Sequence, residues 1–177
     1  MEMVEHLITV AEISVALAGF AGIIATFQLW QIEHVSRGRV LALWMVVNIS
    51  LRMAFISGFT LVLLGFGVDG GVVWAICSAL LAIGSITDTP FIIRNMNLQR
   101  ENYSTRILFG SLMAVGAILV VINILNALGV VFHNEFGPFF ALILFHLSIV
   151  GWNFSRLLMR PLWKMVEERE AATSSNG

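Results

Sequence analysis

The sequence predicts an all-α fold: a polytopic membrane helix bundle of five transmembrane helices, with the N-terminus outside and the C-terminus in the cytoplasm. The composition is 58% hydrophobic and only 12% charged, with a mean hydropathy of +0.89, whereas soluble domains contain about 25% charged residues. Several apolar runs reach the roughly 20 residues that a helix needs to cross a bilayer. Lysine and arginine also alternate between the connections, which orients the bundle.

The predicted spans follow one another with short polar breaks between them. They cover residues 7–30, 40–66, 72–93, 107–128 and 138–159. The breaks read QIEHVSRGR, GVDGG, NLQRENYSTR and FHNEFG. The acidic start MEMVEH lacks the basic segment of a signal peptide, so the first helix is expected to belong to the mature protein. We expect a bundle domain over 1–163 and a cytoplasmic tail over 164–177, the tail being a short soluble helix followed by disorder.

The third span allows two interpretations around the segment SITDTP. Thr89 precedes Pro90, which is a helix-start signal with proline at the first helical position. The helix could therefore stop near Ile86 and a second piece could begin at Pro90. Alternatively, one continuous helix is kinked at Pro90, with the carbonyl of Ile86 released from its hydrogen bond. Both interpretations keep the same topology.

Basic side chains set the predicted orientation. Nine of the ten lysines and arginines lie after the first and third spans or at the end of the fifth. The N-terminal segment, GVDGG and FHNEFG contain none. Because loops rich in lysine and arginine stay in the cytoplasm, the basic side is predicted to be cytoplasmic. The expected location is a membrane crossed several times by the chain, with the bacterial inner membrane as our prediction.

The tenth basic residue, Arg52, lies in the middle of the apolar run WMVVNISLRMAF. By the helical rise it is roughly 18 Å from the inner end of its span, near the midplane. Asn48 lies one turn away on the same face, and Asp88 of the third span lies at the level of Asn48. We therefore predict a buried Arg52–Asp88 pair, with Asn48 completing the hydrogen bonds. A central arginine costs on the order of 2.5–3.5 kcal/mol, so it needs a partner or a water-filled cavity.

The role of this pair has two interpretations at the level of sequence. It could be a charge pair that fixes the register of two helices. It could instead be an ion or substrate site, since charges inside the membrane favour function.

A second polar layer is predicted within roughly 12 Å of the outer end of the spans. It contains Glu12, His146, Asn123 and Asn126. Glu12 and His146 could form a pair that passes a proton, since histidine titrates near neutrality. Alternatively, Glu12 lies in interfacial water and His146 bonds to a helix carbonyl. No spacing motif supports a haem or metal site, so we predict no cofactor.

Small residues mark the first helix as a packing helix. Ala18, Gly22 and Ala25 recur at helical spacing, with Gly19 beside them. Such faces let two helix backbones approach closely. The partner could be another helix of the same subunit or the same helix of a second subunit.

The segment ISVALAGFAGIIATF, residues 13–27, carries a resemblance. It looks like the start of small uncharacterised bacterial integral membrane proteins that have an N-terminal ALAGF(A/S)G-type helix, a group with no function to transfer. The same segment resembles the pore helix of Orai-type calcium channels. The acidic residue of that pore would fall on Phe27 here, so its selectivity chemistry is missing and nothing is carried over.

Composition and motifs exclude several classes of function. The formal net charge of -1, without a basic stripe, argues against binding nucleic acid. No nucleophile elbow, phosphate loop, zinc spacing or paired catalytic carboxylates appear, so we predict that the protein is not an enzyme. The single cysteine, Cys77, allows no intramolecular disulfide.

A homo-oligomeric, ion-conducting membrane protein is the function that the sequence favours. In this reading the first helix packs near the symmetry axis, Arg52 and Asp88 form a gate or coupling pair, and Glu12 is an outer cation site. The alternative is a scaffold subunit of a membrane complex that binds a protein partner through the tail KMVEEREAA. A small transporter is the third class, although no inverted repeat is visible.

Overall fold

The computed structural model describes residues 2–31, 37–96 and 103–174. The helices in these ranges are α1 (Glu2–Gln31), α2 (Arg37–Gly65), α3 (Gly70–Met96), α4 (Tyr103–Ala127) and α5 (Phe136–Ser174), and the described residues contain no strand. All five helices contain a stretch that is long and apolar enough to cross a membrane. The predicted all-α, five-span fold is therefore confirmed, while the orientation of the termini stays a prediction. The predicted connections at 32–36 and 97–102 and the predicted disorder at 175–177 lie outside the described residues.

The third helix passes through Pro90 without a break, which confirms the continuous interpretation of this span. A proline has no N–H, so the carbonyl of Ile86 loses its usual donor. Threonine hydroxyls add side-chain bonds to the backbone nearby. Thr89 Oγ1 donates to the carbonyl of Ser85 at 2.9 Å.

The fifth helix is longer than a membrane requires. Its apolar part covers Phe136–Met159, and the helix then continues without interruption to Ser174. The expected boundary between bundle and tail, at residues 163 and 164, falls inside this helix. By the helical rise, the part beyond Met159 adds about 22 Å.

Glycine and aspartate determine where the helices end and begin on the predicted outer side. Gly67 after α2 and Gly129 after α4 have positive φ angles of 73° and 66°. The N–H of each glycine, and that of the residue after it, donates back into the last helical turn, which is the Schellman arrangement. Asp69 then caps α3, because its Oδ2 accepts the N–H of Gly71 at 3.0 Å.

The two helices α2 and α5 lie at the centre of the bundle. α2 packs on α1, α3 and α5, and α5 packs on all the other helices. α1 packs chiefly on α2, while α4 packs on α3 and α5. The fully buried core consists of residues such as Val46, Met53, Leu81, Phe139 and Ile143. This order leaves the outer faces of α1 and α4 uncovered by the rest of the chain.

Candidate functional site

An ion pair joins Arg52, midway along the apolar part of α2, to Asp88, near the end of the apolar part of α3. Arg52 Nη1 lies 2.6 Å from Asp88 Oδ2. Arg52 Nη2 donates to Asp88 Oδ1 at 2.9 Å and to Asn48 Oδ1 at 3.2 Å. The structure therefore brings together Arg52, Asp88 and Asn48, the three residues that helix geometry predicted to meet. The side chains of Arg52 and Asp88 are 22% and 17% exposed, so the pair is mostly buried but remains partly accessible.

Gly84 makes the space that the arginine occupies. It lies one turn before Asp88 in α3, on the same side of the helix. A Cβ at Gly84 would lie 3.0 Å from Arg52 Nη1 and 3.3 Å from Cδ. This glycine was not among the site residues predicted from the sequence. Its position four residues before an intramembrane aspartate was the available signal.

Gly84→Val should disturb the ion pair by steric displacement. We expect a loss of about 1–3 kcal/mol in the free energy of unfolding, because the added methyl groups must push the guanidinium away from Asp88. Gly58→Val in α2 is the matched control, since no described residue would lie within 4 Å of a Cβ there. Unfolding by SDS titration in mixed micelles measures both variants. Equal losses for the two would contradict the assigned role of Gly84.

His146 lies on the same side of α3 as the ion pair, one turn nearer the end of α3 that begins at Gly70. Its Nδ1 is 2.8 Å from the carbonyl of Leu142, and its Nε2 is 3.3 Å from Ser85 Oγ. Ser85 precedes Asp88 by three residues, so both side chains lie on neighbouring positions of one face. The imidazole is therefore attached to a helix carbonyl, as one of the two sequence interpretations held. Ser85 is a member of the site that the sequence analysis did not name.

The structure does not bring Glu12 and His146 together. Glu12 is exposed on α1, whereas His146 is buried against α3 at 8% exposure. Among the described residues, no hydrogen bond or ion pair links Glu12 to another side chain. The proton-passing pair considered above is not formed in this structure.

Asn123 and Asn126 lie apart from the ion pair and hold the connection between α4 and α5. Asn123 Nδ2 donates to the carbonyl of Pro138 at 2.9 Å. Asn126 Nδ2 donates to Ser78 Oγ at 3.0 Å and to the carbonyl of Glu135 at 2.9 Å. The N–H of Glu135 donates back to Asn126 Oδ1 at 2.9 Å. Both asparagines are completely buried. Their hydrogen bonds hold α4 to the connection that leads into α5, at the end of the bundle that is predicted to lie outside.

The small residues of α1 divide between two environments. Ala18 and Ala25 are half-buried, on the side that packs chiefly on α2. Gly19 and Gly22 are exposed, and nothing lies within 4 Å of a Cβ built on either one. Packing within the subunit therefore uses the alanines and leaves the glycines without a neighbour among the described residues.

No protein-family model, curated protein or solved structure matches this chain. Its function is therefore inferred from its own residues and their geometry. Within the described part of the chain, no group of three or more His, Cys, Asp and Glu side chains could hold a metal ion.

Proposed function

We propose that this integral membrane protein assembles as a homo-oligomer and conducts cations, with α1 facing the symmetry axis. The observation that carries the proposal is the position of Glu12. Its carboxyl group is exposed on an apolar helix, at a depth where a single copy of the chain would place it in hydrocarbon.

The depth of Glu12 follows from a ring contact between α1 and α5. The rings of His6 and Phe140 have their centroids 5.6 Å apart, so these residues lie at one level. Both helices run in the same direction in an up-and-down bundle. Glu12 and His146 each follow six residues later, about 9 Å deeper by the helical rise. The middle of the apolar part of α5, Phe136–Met159, falls at Leu147 and Ser148, so Glu12 is close to the midplane.

A carboxyl group at this depth calls for a polar environment. Burial of an acid at the centre of a span costs on the order of 2.5–3.5 kcal/mol. On the same face of α1, four and seven residues further on, are Ala16 and Gly19, both exposed and small. Copies of α1 can approach closely along such a face. A ring of α1 helices would turn every Glu12 toward a shared, hydrated axis.

A ring of carboxylates in a narrow pore selects and concentrates cations. In this proposal Glu12 is the cation site. Arg52 and Asp88 form a coupling pair one layer behind it, because they hold α2, on which α1 packs, to α3.

Glu12→Gln should lower potassium flux through proteoliposomes by about tenfold or more, because it removes one carboxylate from each subunit at the axis. The measurement is the release of entrapped potassium from vesicles with equal protein content. Glu135→Gln is the matched control, since this exposed acid lies outside the spans and bonds to Asn126 only through its backbone. Wild-type flux in Glu12→Gln would reject the pore position of this residue.

The proposed axis can be examined in the same vesicles. Gly19→Cys in a Cys77→Ala background should form a disulfide between subunits under mild oxidation, since position 19 faces open space. Ala114→Cys on the exposed face of α4 is the control that should stay monomeric. The reverse pattern would place a different helix at the axis.

A scaffold subunit is the second candidate, and the length of α5 favours it. This helix continues from Met159 to Ser174 beyond its apolar part. A projecting helix is a suitable docking element for a protein partner. A wild-type protein that passes no potassium, sodium or protons in the vesicle assay would favour this candidate over conduction.

A further inference from the structure

A large cavity lies between α3, α4 and α5, with α2 behind it. Its volume is about 790 Å³, within the range of about 300–1,000 Å³ typical of small-molecule sites. Most of its wall is apolar. The polar exceptions include Ser85, Asp88, Thr89, His146 and Asn153. Such a cavity, apolar with a few convergent polar groups, has the composition of a ligand site.

The shape and opening of the cavity point to a molecule that comes from the lipid phase. Along α4 the wall extends from Leu112 to Ile124, a distance of about 18 Å by the helical rise. Three residues of this wall are also exposed on the surface of the bundle, namely Ala117, Val121 and Trp152. The cavity therefore opens sideways toward hydrocarbon and is long enough for an extended chain.

The positions of the hydrogens on the His146 ring determine whether a ligand in the cavity must donate or accept a hydrogen bond there. The carbonyl of Leu142 can only accept, so the nearby Nδ1 carries the hydrogen and Nε2 of the neutral ring is an acceptor. Ser85 has one hydroxyl hydrogen, and its shorter contact is with the carbonyl of Leu81, at 2.8 Å against 3.3 Å to Nε2. His146 Nε2 is thus an acceptor whose described partner is the Ser85 hydroxyl at 3.3 Å, and a shorter bond from a ligand can replace this long contact. His146 itself belongs to the wall of the cavity.

The charges around the cavity exclude a charged headgroup. Asp88 is the acid in the wall, and Arg52 already neutralises it. An ionic headgroup would find no free counterion among the described residues of this wall, and its desolvation would be costly. An uncharged hydroxyl group can donate to Nε2 without that cost.

We propose that this cavity binds an uncharged lipid that carries a hydroxyl group, of the long-chain alcohol class. The hydroxyl donates to His146 Nε2, and the chain lies along α4 in the apolar part of the cavity. The site is separate from the proposed pore at α1 and does not depend on ion conduction.

The test uses octadecanol with a photoactivatable diazirine in its chain, added to the full-length protein in proteoliposomes. Mass spectrometry should find labelled peptides from the wall of the cavity, chiefly around Ala117 and Val121. Unlabelled octadecanol should compete about three- to tenfold better than octadecyl methyl ether, which has the same chain but no donor hydrogen. His146→Phe should abolish that preference, whereas Ser85→Ala should keep it.

Ala117→Trp fills the mouth of the cavity and should reduce labelling at least about fivefold if binding is confined to it. Ala114→Trp is the matched control, because this exposed alanine of α4 is outside the cavity wall. The preference for alcohol over ether is a ratio, so a lower yield of folded variant does not alter it. Labelling spread evenly over lipid-facing residues of α1 and α4, or equal competition by alcohol and ether, would overturn the proposal.

Discussion

Asp88→Leu is expected to lower the free energy of unfolding by about 3–5 kcal/mol, because Arg52 would keep its charge inside the membrane without a partner. Arg52→Leu should cause a loss of similar size by leaving Asp88 alone. The two side chains are mostly shielded, so water compensates for little of the missing partner. The loss is measured by SDS titration in mixed micelles, with helical circular dichroism as the signal.

The double variant Arg52→Leu/Asp88→Leu should recover most of this stability. Replacing both members of a buried ion pair by apolar residues of similar volume is often neutral or stabilising. Thr87→Val is the control for the single variants, since Thr87 is exposed and, among the described residues, its hydroxyl bonds only to the carbonyl of Gly84 in its own helix. If the double variant is as unstable as the single ones, the two charges do not act as a pair.

The double variant also separates the two interpretations of the ion pair. A pair that only fixes the register of α2 and α3 can be replaced by leucines without a change in potassium flux. A coupling pair in an ion-conducting protein cannot be replaced by leucines without loss of flux. In that case the folded double variant should fail to conduct potassium. This comparison uses a protein of near-normal stability, and misfolding therefore does not confuse the result.

Asn126→Leu should be the second large effect, with an expected loss of about 2–4 kcal/mol in the free energy of unfolding from three hydrogen bonds where α4 connects to α5. The substitution removes the bonds to Ser78 Oγ and to both backbone groups of Glu135. The connection between α4 and α5 should then open, and its backbone amides should exchange with deuterium faster than in the wild type.

The control for Asn126→Leu is Ser148→Ala. Within the described part of the chain, this exposed serine donates only to the carbonyl of Leu144 in its own helix, at 2.8 Å. Its loss should therefore change the free energy of unfolding by less than about 0.5 kcal/mol. Faster amide exchange throughout the protein, with no excess at 128–135, would show that Asn126 does not act as a local clamp.

The position of the arginine shows how far sequence reasoning reaches into the site. Helical rise and the expense of a central charge were sufficient to predict that Arg52, Asp88 and Asn48 meet, and they do. Gly84 was not predicted as a site residue because a glycine in an apolar helix can have several structural roles that the sequence does not distinguish. Its importance depends on the path of the arginine side chain, which only the packed structure shows.

Glu12 and His146 show that the depth of two residues along their helices does not predict whether their side chains meet. The sequence places both residues in one polar layer, and the ring contact of His6 with Phe140 is consistent with a common level. Depth, however, does not give the rotation of a helix about its axis. Because α1 packs chiefly on α2, Glu12 faces outward while His146 faces α3.

The sequence by itself determined the class and the layers of this protein. Apolar length decides how many helices form, since in lipid every backbone group must be satisfied within its own helix. The tertiary structure alone decided which helices are neighbours, how each is rotated, and that a cavity remains between α3, α4 and α5. The physical reason is that lipid hydrocarbon solvates all apolar helix faces almost equally. Which faces pack against each other therefore depends on close packing and a few polar contacts.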